Sequence, residues 1–206
     1  MALVVITGGA RSGKSSAAEM LAVMRHALGQ DVHVLVWGRA EPAEDPEFAD
    51  RIARHRADRN PAFATVEAGP DPAILQRIPA EELVIVECLG TLVGRLMEAA
   101  WDLGASGDRL READAEGLPE GFEQHCEAGV EDWIAALTLR RGDTIVVTNE
   151  VGEGVVPAYA TGRLFRDLLG RANRALVARA DASYLCVAGR LVDLATLPNE
   201  ACWPED

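Results

Sequence analysis

The sequence predicts an α/β fold: a mostly parallel sheet with helices on both faces. Three observations carry this: short apolar runs rich in β-branched residues, segments of helical apolar period between them, and a glycine-rich connection after the first run. Leu3-Val4-Val5 is the first strand, and it leads straight into Ile6 to Ser16, read ITGGARSGKSS. Val32 to Trp37 is the second strand, Glu82 to Val86 the third, Asp143 to Thr148 the fourth and Ala182 to Val187 the fifth. Each is a short buried run of the kind parallel sheets favour. A helix is expected from about Pro46 to Asp58. Two more are marked by shared faces, Val130, Trp133, Ile134 and Leu137 on one and Leu164, Leu168, Ala172 and Leu176 on the other. The stretch 102–125, with its glycines, Pro119 and many acids, breaks the rhythm and reads as an exposed acidic insertion. From about residue 196 the chain reads as a C-terminal tail, and the whole of 1–206 as a single domain.

At 206 residues the chain suits one sizeable core. Its apolar content of 49% is that of a globular protein, and no apolar run approaches the roughly 18 residues of a membrane span. With no leader-like segment ahead of the first strand, a cytoplasmic protein is expected. Cys88, Cys126, Cys186 and Cys202 are widely spaced, so neither a zinc site nor a disulfide framework is indicated. The net charge of -13 excludes a general affinity for nucleic acid, which needs a concentrated basic surface. Any phosphate handled here is then on a small molecule. Positive charge is local, in Arg51, Arg54, Arg56 and Arg59 and again in Arg163, Arg166, Arg171 and Arg174.

Gly8-x-x-x-x-Gly13-Lys14-Ser15 has P-loop spacing, and it stands between a strand and a helix as that motif requires. Across Gly8, Gly9, Ala10, Arg11, Ser12 and Gly13 the backbone is expected to wrap a polyphosphate with its N–H groups. Lys14 should reach the β- and γ-phosphates, and Ser15 should offer its hydroxyl to Mg²⁺. Glu87 follows the third strand, where a carboxylate orients Mg²⁺ or its water, or contacts nucleotide. His55 lies among arginines, which disfavour the imidazolium and attract phosphate, so its neutral nitrogen is a candidate nucleophile. Thr148 to Pro157, TNEVGEGVVP, follows the fourth strand and reads as a ligand loop on the same edge of the sheet.

TGGARSGKS at 7–15, RIxxHR at 51–56, LVIVECLGTLV at 83–93, TNEVGEGVVP at 148–157 and RLFRDLLGRANRALVARAD at 163–181 together resemble the bifunctional adenosylcobinamide kinase/adenosylcobinamide-phosphate guanylyltransferases of cobalamin biosynthesis. The resemblance spans nearly the whole chain. It implies a RecA-like P-loop fold and an enzyme that phosphorylates the aminopropanol hydroxyl of adenosylcobinamide. It also implies transfer of GMP from GTP to that phosphate through a guanylylated histidine, which carried over is His55. ATP is implied as an alternative phosphoryl donor, with Mg²⁺ held through Ser15 and Glu87. Nucleotide contacts are implied for Gly8 to Ser15, for Arg56, Ala57, Asp58 and Arg59, for Glu67 and for Glu87. A homo-oligomer, a trimer in the family, is implied as well. Two other readings stay open from the residues: a paralogue with one of the two activities, and a nucleotide-dependent switch that transfers no group.

Overall fold

The computed structural model describes residues 1–37, 46–104 and 117–200. One sheet of seven strands organises them, in the order β3-β2-β4-β5-β1-β6-β7. The strands are β1 (Leu3–Thr7), β2 (Val32–Val36), β3 (Ala64–Glu67), β4 (Leu83–Glu87), β5 (Thr144–Val147), β6 (Ala182–Val187) and β7 (Arg190–Asp193). Neighbours pair in parallel throughout, except that β7 returns antiparallel on β6. The strand that feeds the glycine-rich loop is thus separated by β5 from β4, which ends on Glu87. This is the RecA-like P-loop arrangement that the sequence led us to expect.

Five helices cover the sheet among the described residues: α1 (Lys14–His26), α2 (Pro46–Asp58), α3 (Leu89–Gly104), α4 (Phe122–Leu139) and α5 (Ala160–Val177). The central strands are apolar on both sides because both sides are covered. In β1, Val5 packs into the core beneath α3, α4 and α5, while Ile6 packs with Ala17, Ala18 and Ala22 of α1. On α4 the buried residues Phe122, Cys126, Val130, Trp133 and Leu137 recur at helical period, and on α5 Leu164, Leu168, Ala172 and Leu176 do the same. Ile134 lies at the edge of that stripe and is only partly buried. Trp37, just past β2, meets Trp133 edge to face at 5.2 Å, and the two indole N–H groups donate to the Gly69 and Pro70 carbonyls.

All five expected strands are present, and two more border the sheet. β3 and β7 lack the buried face that makes a strand visible in sequence: Ala64–Glu67 has no fully buried residue, and all four residues of β7 are exposed. The acidic stretch also differs from expectation at its ends. Residues 102–104 continue α3, and Phe122 to His125 open α4, with Phe122 buried edge to face on Trp101 at 5.2 Å. Residues 105–116 lie outside the described residues, as do 201–206, which include Cys202 and most of the expected tail. Leu194–Thr196 forms a short turn of 3₁₀ helix capped by Asp193, whose carboxylate accepts from the Ala195 N–H. Among the described residues, no helix is long and apolar enough to cross a membrane.

Candidate functional site

The glycine-rich loop leaves β1 in a conformation that two of its glycines make accessible. Gly8 has φ 149° and Gly13 φ 104°, and Arg11 between them is left-handed at φ 56°. A Cβ on Gly8 would run into the carbonyl oxygen of Cys186, and one on Gly13 would lie 3.2 Å from Cα of Gly189. The wall on that side is the tip of the β6–β7 hairpin. Its two turn residues, Ala188 and Gly189, both have positive φ, 49° and 75°, as a tight turn matched to strand twist requires. The Gly189 N–H donates to the Ser12 carbonyl at 2.7 Å, and the Cys186 thiol donates to the same oxygen at 3.1 Å. On the opposite side the Glu150 N–H donates to the Gly8 carbonyl at 3.0 Å. The loop is therefore clamped between the segments that follow β5 and β6.

Inside this clamp Lys14 opens α1, nearly buried, with Nζ curled back to the Gly9 carbonyl at 2.6 Å. No side chain caps the helix, so its first N–H groups face the loop and suit an anion. The hydroxyls of Thr7 and Ser12 are buried beside the loop without a protein partner, two further groups able to meet phosphate oxygens. Ser15 Oγ donates to Glu87 Oε1 at 2.6 Å. A hydroxyl and a carboxylate in contact beside a phosphate loop form the small oxygen donor set that Mg²⁺ takes from a protein when it shares its shell with water and phosphate. The residues fit that ion.

The arginine-rich end of α2 joins this centre through Arg59. Burial pushes the Arg59 guanidinium below its ordinary value, the Glu87 carboxylate opposes that shift, and Arg56 adds to it. Arg59 Nη1 also donates to Thr65 Oγ1 at 2.8 Å, and the Asn60 N–H donates to Glu19 of α1 at 3.0 Å. Arg56 instead turns to Glu67, Nη2 to Oε1 at 2.7 Å, in an exposed pair at the end of β3. Glu67 and Glu87 end strands that flank β2, so the strand spacing sets their backbones about 10 Å apart. Ala57 is exposed on α2. His55 is part of the same helix, one residue before Arg56, while the side-chain positions of Arg51, His55 and Asp58 lie outside the described structure. The structure thus brings Gly8 to Ser15, Glu87 and Arg59 to one centre and pairs Arg56 with Glu67 at its margin.

Sequence reasoning missed the residues that brace this centre. Asn173, buried on α5, accepts a hydrogen bond from the Thr148 hydroxyl at 2.6 Å and donates to the Asn149 carbonyl at 3.0 Å. It fixes the start of the loop that holds Gly8. The available signal was an amide on an otherwise apolar face, between Leu169, Ala172 and Leu176. Glu19, Cys186 and Gly189 carry no comparable signal, since their partners are remote in the chain.

Residues 4–194 match the family model described as cobinamide kinase / cobinamide phosphate guanyltransferase. The chain is 36% identical over 189 residues to the bifunctional adenosylcobalamin biosynthesis protein CobU of Escherichia coli (strain K12), covering 91% of this chain and 96% of that protein. It is 33% identical over 189 residues to the protein of the same name from Salmonella typhimurium, with the same coverage of 91% and 96%. A bifunctional adenosylcobalamin biosynthesis protein CobP of Pseudomonas aeruginosa is 32% identical over 187 residues, 90% of this chain and 92% of that one.

Proposed function

The chain belongs to the cobinamide kinase / cobinamide phosphate guanyltransferase family, and from that premise we propose which of its residues carry the two reactions. Its activities are those of the family, and its substrates are a nucleotide and a corrinoid. In the kinase step, the hydroxyl oxygen of cobinamide attacks the terminal phosphorus of a triphosphate, the bond to the β-phosphate breaks and the diphosphate leaves. Gly8 to Ser15 hold the triphosphate, Lys14 turns from Gly9 to the β- and γ-phosphates, and Arg59 adds positive charge near Glu87. Ser15 and Glu87 would hold Mg²⁺, which when bound would neutralise phosphate charge.

In the second reaction the donor is GTP and the nucleophile is the neutral imidazole of His55. Its nitrogen attacks the α-phosphorus, pyrophosphate leaves, and the N–P bond is then broken by an oxygen of cobinamide phosphate, which regenerates the histidine. Nucleotide contacts from Arg56, Ala57, Asp58 and Glu67 would fall along α2 and β3. ATP serves as an alternative donor for the kinase step alone. The protein works in the cytoplasm, where nucleoside triphosphates are abundant, as a homo-oligomer for which the family resemblance suggests a trimer. An apolar stripe on α1 and the turn that follows it supports association: Met20, Val23 and Met24 of the helix are 60%, 43% and 61% exposed, and Leu28 beyond it 79%.

The observation that carries this reading is the contact of Ser15 with Glu87 beside a clamped phosphate loop. It is tested with GTP labelled at the α-phosphate. Wild-type protein should acquire a label stable in base and labile in acid, and His55→Asn should acquire none while still phosphorylating cobinamide. Acid-labile label on His55→Asn would exclude His55 as the nucleophile.

A further inference from the structure

A cleft of about 360 Å³ opens between the middle of α3 and the first turns of α5, bordered by the loop that leads from β5 into α5. Its apolar lining comes from Met97 of α3, Phe165 of α5, and Val151, Val155 and Tyr159 of the loop. Val155 is 96% exposed and Tyr159 50%, so the loop presents apolar side chains to solvent. The loop backbone is nonetheless fixed. The Gly152 N–H donates to Glu150 Oε1 at 2.8 Å, Arg166 donates to the Gly152 carbonyl, and Arg163 Nη1 donates to the Ala158 carbonyl at 2.6 Å. Apolar side chains exposed on a tethered loop beside a cleft form the kind of surface that marks a binding site.

The position of the cleft relative to the phosphate loop says what it binds. The loop's Glu150 N–H reaches the Gly8 carbonyl, and α3 starts two residues beyond Glu87. Five residues of helical rise, about 7.5 Å, separate the start of α3 at Leu89 from Gly94 at the cleft. Both walls grow from β4 and β5, on the opposite side of β1 from the β6–β7 hairpin. An acceptor must approach the terminal phosphate in line, from beyond the groups that hold it, and this is the flank of the loop that is not closed by the hairpin. Cobinamide is a broad macrocycle fringed by amides, far larger than this volume, so only one edge of it enters. Glu98 and Arg166 at the rim offer an acceptor and donors to such amides.

We propose that this cleft seats one edge of the corrin macrocycle, with Val155 and Tyr159 as its apolar lip, so that the reacting arm of cobinamide extends toward Gly8 to Ser15. The proposal rests on the kinase and guanylyltransferase reading given above, and its test separates the two. Val155→Asp and Tyr159→Ser alter exposed side chains and leave the fold intact. Each should raise the KM for cobinamide about tenfold, the loss expected when a buried apolar contact is replaced by a polar one. The KM for GTP and the yield of acid-labile GMP-protein should stay at wild-type values. An unchanged cobinamide KM in both variants, with phosphorylation and guanylylation intact, overturns the cleft assignment alone. A rise in the GTP KM equal to that for cobinamide overturns it too, since the loop would then serve the nucleotide. Failure of wild-type protein to phosphorylate cobinamide overturns the underlying reading.

Discussion

Replacing Asn173 by leucine removes a side chain of similar size whose two hydrogen bonds hold the start of the loop behind the phosphate site. The Thr148 hydroxyl, fully buried, loses its acceptor at 2.6 Å, and the Asn149 carbonyl loses its donor at 3.0 Å. A buried polar group left without a partner costs about 1–3 kcal/mol, and the carbonyl, being less deeply buried, recovers part of its loss from water. The sum is about 2–4 kcal/mol, which for a chain of this length lowers the melting temperature by about 5–15 °C. Thermal unfolding followed by circular dichroism reads the single variant. A cycle with Thr148→Val isolates the cause, because the double variant has no hydroxyl to strand and should recover about 1–2 kcal/mol relative to additivity. Additive losses, or an Asn173→Leu melting temperature within 2 °C of wild type by that ~1 kcal/mol scale, would refute the claim that this amide braces the loop.

Two further outcomes concern ionisable groups. Burial pushes the Asp143 carboxyl up, but hydrogen bonds from the Ala2 N–H and the Gln30 amide, with the charge of Arg25, outweigh it and hold the group below its ordinary value. Its contribution is therefore complete above the unfolded pKa of about 3.9 and lost as pH falls through the lower folded value, so urea midpoints of wild type and Asp143→Asn should differ constantly from pH 5 to 7 and converge in acid. Burial, then the charges of Glu123 and Glu127, push the Cys126 thiol up to about 11. At pH 8 iodoacetamide should leave Cys126 unmodified in the native protein and alkylate it in urea, as peptide mass mapping would show; rapid native labelling would contradict its burial.

The sequence disclosed what local geometry dictates. Gly8 and Gly13 stand where the chain takes positive φ, Lys14 and Ser15 follow at the start of a helix, and Glu87 closes a run whose residues alternate between two buried cores. Such features depend on near neighbours and on period. β3 and β7 escaped notice because an edge strand with no covered face has no apolar alternation to show. The partners of the phosphate loop escaped for a different reason. Ser12 meets Gly189, Gly8 meets Glu150, and Glu87 shares its field with Arg59, contacts that exist only after the strands have been ordered in space. Asn173 lay between these cases, visible as a misplaced amide but not as the brace of residues 148 and 149.

The hairpin tip at Ala188 and Gly189 also imposes an order of events on synthesis. The complete glycine-rich motif leaves the ribosome early, yet the wall against which Gly8 and Gly13 are shaped comes from residues 186–189, more than 170 positions later. Closing a contact of that separation is among the slowest kinds of step in folding. Nucleotide is therefore not expected to template the nascent N-terminal half. Ligand becomes a stabilising partner only after β6 and β7 have docked, so triphosphate added during refolding should slow unfolding of the finished protein without accelerating its formation.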